Sequence, residues 1–285
     1  MGERKMQLEQ YSKATLETAV GLRIIDDSLW RLVAAKQNVC QEILRTLLDM
    51  PKLKVVKVNV QEVIQSLHRE ITIDALCILD DGSICNIEMQ KGDGNDDIKR
   101  TRFHASSITA KYTPKGTDFE NIPNVTILYI TQYDALKNNR TITHVSRCMN
   151  TKNGKYVPIN DGEDIVFANT EVKEASDKSE LLQLMLRKDA FYSDKFPATS
   201  KAINYFKNTK GGMSKVCKSV ELYAENYAKK YAENYAKEVA KEYFNNGRIK
   251  TITDFLSNGG SKADAKKMLN ASAKEIKEAE ARLIK

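Results

Sequence analysis

Two acids and an amide form the most informative stretch of this sequence, with Asp74 followed at a distance by Glu88-x-Gln90. Apolar runs on both sides of an Asp-Asp-Gly segment at 80–82 predict two strands joined by a tight hairpin. Because side chains alternate along a strand, Glu88 and Gln90 share one face, and Asp74 can lie across from them. Carboxylates in a half-buried strand are costly unless they pair, take up a proton or bind a metal ion. The hairpin is therefore a candidate metal site.

The chemistry of the oxygen ligands indicates which metal this site would take. The carboxylates of Asp74 and Glu88, with the main-chain carbonyl of Met89, form the kind of set that binds Mg²⁺ while leaving room for water. Such a metal activates water and stabilises charge that develops on a phosphodiester. Gln90 is no strong base, but its amide could orient the water or a phosphate oxygen. Acid-x-polar spacing is also typical of a solvent-exposed strand face, so spacing alone leaves both interpretations open.

Basic residues after the hairpin are candidates for binding phosphate groups. Lys91 follows the second strand directly, and Arg100 and Arg102 fall on a helix predicted over 96–111. A guanidinium group can bind phosphate through two parallel hydrogen bonds. For Arg100 the alternative is a salt bridge to a neighbouring acid, Asp96 or Asp97.

Other kinds of site are disfavoured by composition and spacing. The histidines at 68, 104 and 144 form no zinc or HNH-type pattern, and His104 is expected to pack or to make a hydrogen bond. The five cysteines are scattered, without C-x-x-C spacing, which argues against disulfides and structural zinc and favours a reducing cytoplasm. No apolar run approaches the roughly 20 residues that span a bilayer, and no signal peptide is expected. No phosphate-binding glycine loop is present.

The elements that must position the hairpin follow a mixed pattern. Helices are predicted to begin at Asp26-Asp27-Ser28 and to run over 38–49, before the hairpin. The stretch 53–61 is interpreted as linker or edge structure. After the helix at 96–111, strands are expected at 124–131, 141–148 and 165–169, the first of them central because it is almost continuously apolar. This order predicts an α/β core with a mixed sheet flanked by helices.

Beyond residue 170 the sequence is typical of helices, and its charge changes. Residues 201–285 hold 18 Lys and Arg against 10 Asp and Glu, so this part carries the positive net charge of the chain. Basic surfaces attract polyanions such as nucleic acid, although a solvated helical tail is the alternative. Gly211-Gly212 is expected to interrupt one helix and Asn245-Asn246-Gly247 to end the next. Between them Tyr and Ala recur every four residues, which makes a second copy of the chain a candidate partner through residues 221–246.

The motif residues and their neighbours resemble the PD-(D/E)xK nuclease superfamily, and more closely its bacterial recombination-promoting nuclease and transposase group. The resemblance covers about residues 25–220. The matching segments are, in order, Asp26-Asp27-Ser28-Leu29-Trp30, Asn86-Ile87-Glu88-Met89-Gln90, Arg100-x-Arg102-Phe103-His104, Ile127-x-Tyr129-Ile130-Thr131 and Asp161-Gly162-x-Asp164-Ile165-x-x-x-Asn169. It implies a restriction-endonuclease-like core with an all-α C-terminal extension.

The resemblance also implies an activity, which is Mg²⁺-dependent cleavage of DNA, with Mn²⁺ as a substitute ion. It makes Asp74 and Glu88 the metal-binding acids and places Gln90 where the motif usually has Lys. Glu42 is the best-placed candidate for the acid that such nucleases often carry on their first core helix. Because the Lys is missing, a DNA-binding relic without cleavage is one alternative, and a self-associating helical scaffold is another.

The expected organisation has five parts. Residues 1–21 form a variable lead-in, 22–172 the nuclease-like core, and 173–220 a helical part packed on that core. Residues 221–246 form the repeated Tyr/Ala helix. A small basic helical module follows at 247–285.

Overall fold

The acid-bearing hairpin lies inside a six-stranded mixed sheet. The computed structural model describes residues 8–65, 69–92 and 96–283, and the lead-in before residue 8 and His68 lie outside this range. From the N-terminal side, the first helices and strands are α1 (Lys13–Gly21), α2 (Asp27–Ala34), α3 (Gln37–Leu47), β1 (Val55–Gln65), β2 (Glu70–Leu79), β3 (Ile84–Gln90), α4 (Asp97–Tyr112) and β4 (Val125–Thr131). They are followed by β5 (Ile142–Val145), β6 (Cys148–Asn150), β7 (Tyr156–Pro158), β8 (Glu163–Asn169), α5 (Asp177–Met185) and α6 (Pro197–Asn208).

The strand order in the main sheet is β1-β2-β3-β4-β8-β5. Strands β1, β2 and β3 pair antiparallel, β3, β4 and β8 pair parallel, and β5 returns antiparallel to β8. Strands β6 and β7 form a separate two-stranded ribbon. The predicted α/β core with a mixed sheet is confirmed. The stretch interpreted as linker or edge is the edge strand β1, and β4 is central as its apolar sequence predicted.

Helices cover both faces of the sheet. On one face, α2, α3, α5 and α6 bury apolar side chains against the sheet, among them Leu29, Trp30, Ile43, Leu182 and Phe206. On the other face α4 packs Ala105 and Ile108 against strand residues that include Ile127 and Phe167. The hairpin therefore lies between two helical layers, and β3 ends at Gln90.

The C-terminal helices depart from the expected breaks. Helix α7 (Lys210–Ser257) runs through Asn245-Asn246-Gly247, so the end predicted there is wrong, whereas the interruption expected at Gly211-Gly212 falls two residues earlier. The break comes at Thr209, which is extended. Gly212 lies in the first turn of α7, where an added Cβ would stand 2.0 Å from the carbonyl oxygen of Tyr205, so this position requires glycine for the close approach of two backbones.

Packing explains why the Asn-Asn-Gly segment at 245–247 stays helical. Helices α8 (Lys262–Met268) and α9 (Ala273–Leu283) close around the last turns of α7, and Ile249 and Ile252 are buried among them. Burial of two such side chains outweighs the roughly 1 kcal/mol that a glycine costs in a helix. The helix ends instead before Gly259, which has φ +90°.

The chain divides into two compact units at Glu221, so that α7 belongs to both. The second unit begins at Leu222 and contains the rest of α7 with α8 and α9. Among the helices of the described residues, none is long and apolar enough to cross a membrane.

Candidate active site

The structure brings Asp74 and Glu88 together at the point where main-chain pairing between β2 and β3 stops. The last paired residues are Ala75 and Ile87. Beyond them the acids replace main-chain partners: the Asp74 N–H donates to Glu88 Oε1 at 3.2 Å, and the Met89 N–H donates to Asp74 Oδ2 at 3.1 Å. Each of the two carboxylates therefore accepts a hydrogen bond from the main chain of the strand that carries the other one.

An irregularity in β1 and β2 turns Asp74 toward this site. The pairs Val60–Ala75 and Glu62–Ile73 follow one register, but Gln61 between them has φ 55° and Asp74 is skipped. Ile73 packs on the α4 side of the sheet while Ala75 packs on the opposite side, so the alternation of faces changes at Asp74. The Gln61 side-chain amide donates to Asp74 Oδ1 at 3.2 Å, which fixes the second oxygen of this carboxylate.

The electrostatics of the pair favour an additional positive charge. Burial raises the pKa of the Asp74 carboxyl well above its usual value, and the neighbouring charge of Glu88 raises this pKa further. Two close carboxylates without a counter-charge retain a proton, whereas a bound cation would allow both to ionise. The oxygen donors present thus fit a divalent metal ion of the Mg²⁺ type.

Met89 can supply a further oxygen to such an ion. In an extended strand the N–H and C=O of one residue point to the same side. Since the Met89 N–H points to Asp74, its carbonyl also lies on the Asp74 side of β3. Within the described ranges no group of three or more His, Cys, Asp or Glu side chains is arranged to hold a metal. The candidate ligand set is therefore two carboxylates and a main-chain oxygen.

Two acids at the start of α2 were not predicted as site residues. The charge of Asp27 contributes to the raised pKa of Asp74, so the two side chains lie within electrostatic reach. Asp27 also forms a salt bridge with Arg31 at 2.7 Å. The sequence signal was present, because the Asp-Asp pair stands in a segment that matched the resemblance, but it was interpreted only as a helix cap.

The Lys91 side chain also contacts the N-terminus of α2. Its ammonium group lies 3.0 Å from Asp26 Oδ1, and Asp26 also forms a salt bridge with Arg23 at 3.1 Å. Burial opposes ionisation of this carboxyl, but hydrogen bonds from Arg23 and Lys91 hold the pKa of Asp26 below its ordinary value. Lys91 is thus held at the N-terminus of α2, beside the acid that reaches Asp74.

Glu42, the predicted first-helix acid, is engaged elsewhere. Its carboxylate accepts hydrogen bonds from the N–H groups of Ala198 and Thr199, both at 2.8 Å, and from the Thr199 hydroxyl at 2.6 Å. These contacts satisfy free N–H groups at the start of α6, which a helix cannot satisfy itself. Glu42 also borders a groove of about 930 Å³ whose lining includes neither acid of the pair. The structure does not bring Glu42 to Asp74 and Glu88.

Gln90 and the two arginines occupy less constrained positions. The Gln90 amide donates to the Gly92 carbonyl at 2.8 Å, at the mouth of the loop that follows β3. Arg100 forms a salt bridge with Asp96 at 3.1 Å, as the alternative interpretation expected. Arg102 is exposed to solvent.

A buried network, missed from the sequence, connects the start of α4 with the central strand β4. Asp97 accepts hydrogen bonds from the hydroxyls of Tyr129 and Tyr133, both at 2.8 Å. Burial and the Asp97 hydrogen bond raise the pKa of Tyr129, so this hydroxyl stays a donor. Tyr129 is the strand partner of Glu88. The network therefore ties the start of α4 to the strand beside Glu88.

Comparison with known proteins agrees with this architecture. The family model described as PD-(D/E)XK nuclease family transposase matches residues 34–243, which is more than half of the chain. The chain belongs to this family. No curated protein and no solved structure matches it. Family membership supports a nuclease or transposase type of function, and it covers Asp74, Glu88 and Gln90, whereas Asp26 and Asp27 precede the matched range.

Proposed function

We propose that this member of the family is a metal-dependent endonuclease that hydrolyses phosphodiester bonds in DNA. The observation that supports the proposal most directly is the pair formed by Asp74 and Glu88, which hold each other's strands and whose charges repel. Family membership supports a nuclease, and DNA is the substrate class that it implies. The cleavage would serve recombination or transposon movement in a reducing cytoplasm.

Each candidate site residue would have its own role in metal binding or catalysis. Asp74, Glu88 and the Met89 carbonyl would hold Mg²⁺, or Mn²⁺ in its place, and the ion would activate water and stabilise developing charge. Gln90 would orient the attacking water by hydrogen bonding, since an amide neither carries charge nor acts as a strong base.

The surrounding charges would bind the DNA backbone and complete the acid set. Lys91, Arg100 and Arg102 would contact phosphates, and the basic C-terminal part would add attraction at longer range. For the first-helix acid we propose Asp27 in place of Glu42, because Asp27 is the acid of α2 whose charge reaches Asp74. Lys91, held by Asp26, would supply positive charge near the position of the missing motif lysine.

Nicking of supercoiled plasmid tests this proposal. We expect Mg²⁺- or Mn²⁺-dependent nicking by the wild-type chain and at least a 100-fold loss in Asp74→Asn, since one metal ligand loses its charge. Asp118→Asn is the matched control, because Asp118 is an exposed acid of the same type. Equal nicking by wild type and Asp74→Asn would refute the proposal.

A DNA-binding protein without cleavage is the second candidate, and the Gln90 position favours it. In that case the wild-type chain would bind duplex DNA, and its affinity would fall steeply as salt rises, because bound counterions are released from phosphates. No nicking would occur with either metal ion. Measuring binding at several salt concentrations beside the nicking assay separates the two candidates.

A further inference from the structure

Two buried polar side chains, Asn86 and His104, lie against one carboxylate oxygen of Glu88. Asn86 is 0 % exposed, and Glu88 and His104 are each 7 % exposed. The Asn86 amide donates to Glu88 Oε1 at 2.9 Å, and His104 Nδ1 lies 3.5 Å from the same oxygen. Within the described part of the chain, His104 Nδ1 has no hydrogen-bond partner. The ring nitrogen thus points at a carboxylate but stands just beyond hydrogen-bonding distance.

The position of His104 is fixed by its helix. It lies on the face of α4 that turns toward the sheet, with Thr101, Ala105 and Ile108 buried on the same side. The Asp97 network anchors the first turn of that helix. Because a buried N–H without an acceptor is unfavourable, and the neighbouring atom is a carboxylate oxygen, the proton of a neutral ring belongs on Nδ1.

We infer that His104 is a positioning residue that, together with Asn86, fixes the Glu88 carboxylate through Oε1 and leaves Oε2 for the metal. Among the described residues, the hydrogen bonds to the Glu88 carboxylate come from the Asp74 N–H and the Asn86 amide, and both reach Oε1. A shift of a few tenths of an ångström adds the His104 N–H to them. Groups that hydrogen-bond a ligating carboxylate orient it and tune its affinity for the ion.

This inference rests on the proposed function for its metal, but its geometry can be tested without one. In the metal-free full-length protein, the ¹⁵N shifts of the imidazole nitrogens distinguish the two neutral tautomers. We expect His104 to carry its proton on Nδ1. A proton on Nε2 would overturn the inference, whether or not the protein cleaves DNA.

Variants that mimic one ring nitrogen at a time provide the second test. The amide nitrogen of Asn can replace Nδ1, whereas that of Gln falls nearer to the position of Nε2. Calorimetric titration with Mn²⁺ should show affinity within about threefold of wild type for His104→Asn. A loss of 10- to 100-fold is expected for His104→Gln and His104→Ala. His144→Ala is the control, because His144 is an exposed histidine paired with Asp164.

Kinetics separate this role from a merely structural one. Since the His104 side chain is buried, we expect its loss to lower kcat at limiting metal and to leave KM for DNA unchanged, while excess Mn²⁺ restores the rate. Unchanged Mn²⁺ affinity in His104→Ala would refute the inference and leave the proposed nuclease intact. Failure of the wild-type chain to bind Mn²⁺ would instead refute the proposed function, with the tautomer measurement still deciding the position of the proton.

Discussion

At the scale of single residues, the candidate site holds two carboxylates whose negative charges repel each other. Asp74 and Glu88 lie close together without a positive charge between them, and burial strengthens the repulsion that raises the pKa of Asp74. Other acids of the first unit are treated differently, since Asp26 is surrounded by Arg23 and Lys91 and its pKa is lowered. Carboxyl groups with strongly perturbed pKa values are typical of functional positions.

The raised pKa of Asp74 has a consequence for stability that can be measured. Above the ordinary pKa of an aspartate, the unfolded chain releases this proton more readily than the folded chain, so the folded state loses stability as pH rises toward the folded pKa. In EDTA, Asp74→Asn should therefore be more stable than wild type at pH 7, by about 1 kcal/mol or more. The difference should vanish near pH 4. Urea unfolding at both pH values measures it, and a less stable Asp74→Asn at pH 7 would contradict the expectation.

Residue types predicted the acid pair but not its surroundings. Strand alternation and turn chemistry, which are local properties of the sequence, predicted the hairpin, and the family resemblance assigned roles to Asp74, Glu88 and Gln90. The contributions of Asp27 and the Asp97 network depend on contacts between residues more than 30 positions apart, which no local pattern encodes. Glu42 shows the same limit, since a carboxylate on α3 caps a helix 156 positions away.

At the scale of elements, helix ends decide what the acids do. The starts of α2 and α6 are an instructive pair: Asp27 lies in the first turn of α2, and the Glu42 carboxylate accepts hydrogen bonds from the first turn of α6. Free N–H groups at a helix start attract negative charge, so either location stabilises an acid. Only the first of them places an acid near the candidate metal site.

Substitutions at these two helix starts should have opposite effects. Glu42→Gln should lower the free energy of unfolding by about 1–2 kcal/mol, because a charged cap of α6 is weakened. Nicking activity per folded molecule should stay unchanged. Asp27→Asn should reduce nicking at least tenfold with little change in stability. Thermal melts and nicking assays on both variants check this, and loss of activity in Glu42→Gln alone would restore Glu42 as the first-helix acid.

Long helices were less predictable than the hairpin. The glycine pair at 211–212 and the Asn-Asn-Gly segment at 245–247 are typical helix breakers, yet both lie inside α7. At the first, glycine is required by the contact with the Tyr205 carbonyl, and at the second, burial of Ile249 and Ile252 outweighs a poor local propensity. Packing partners that override propensity are visible only once the chain is folded.

At the scale of the whole molecule, the second unit presents an uncovered stretch of helix. Every residue from 222 to 247 is exposed, including Tyr227 and Tyr231 at 65 % and Tyr235 at 61 %. Monomeric proteins rarely leave a contiguous row of large apolar side chains exposed. We propose that a second copy of this chain covers the row, with alanines at every fourth position allowing close approach.

If the protein self-associates through this row, substitutions of its tyrosines should lower the molecular mass of the protein in solution. Serine at positions 227, 231 and 235 should convert the protein to a monomer in light scattering at micromolar concentration, because the apolar row is lost while the helix keeps its charges. The matched control is Tyr156→Ser, since Tyr156 is 73 % exposed in the first unit. A wild-type chain that is monomeric throughout, or a triple variant of unchanged mass, would reject the proposal.

The hydrogen bond from the Met89 N–H to the Asp74 carboxylate can serve as a reporter of the candidate metal site. This amide proton is held by a side chain whose oxygen would also bind the metal, whereas its neighbours in β3 are held by the main chain. We therefore expect the exchange of this amide proton with solvent to depend on the state of the Asp74 carboxylate. Occupancy of the site becomes readable at a single backbone position, in solution and without any substrate.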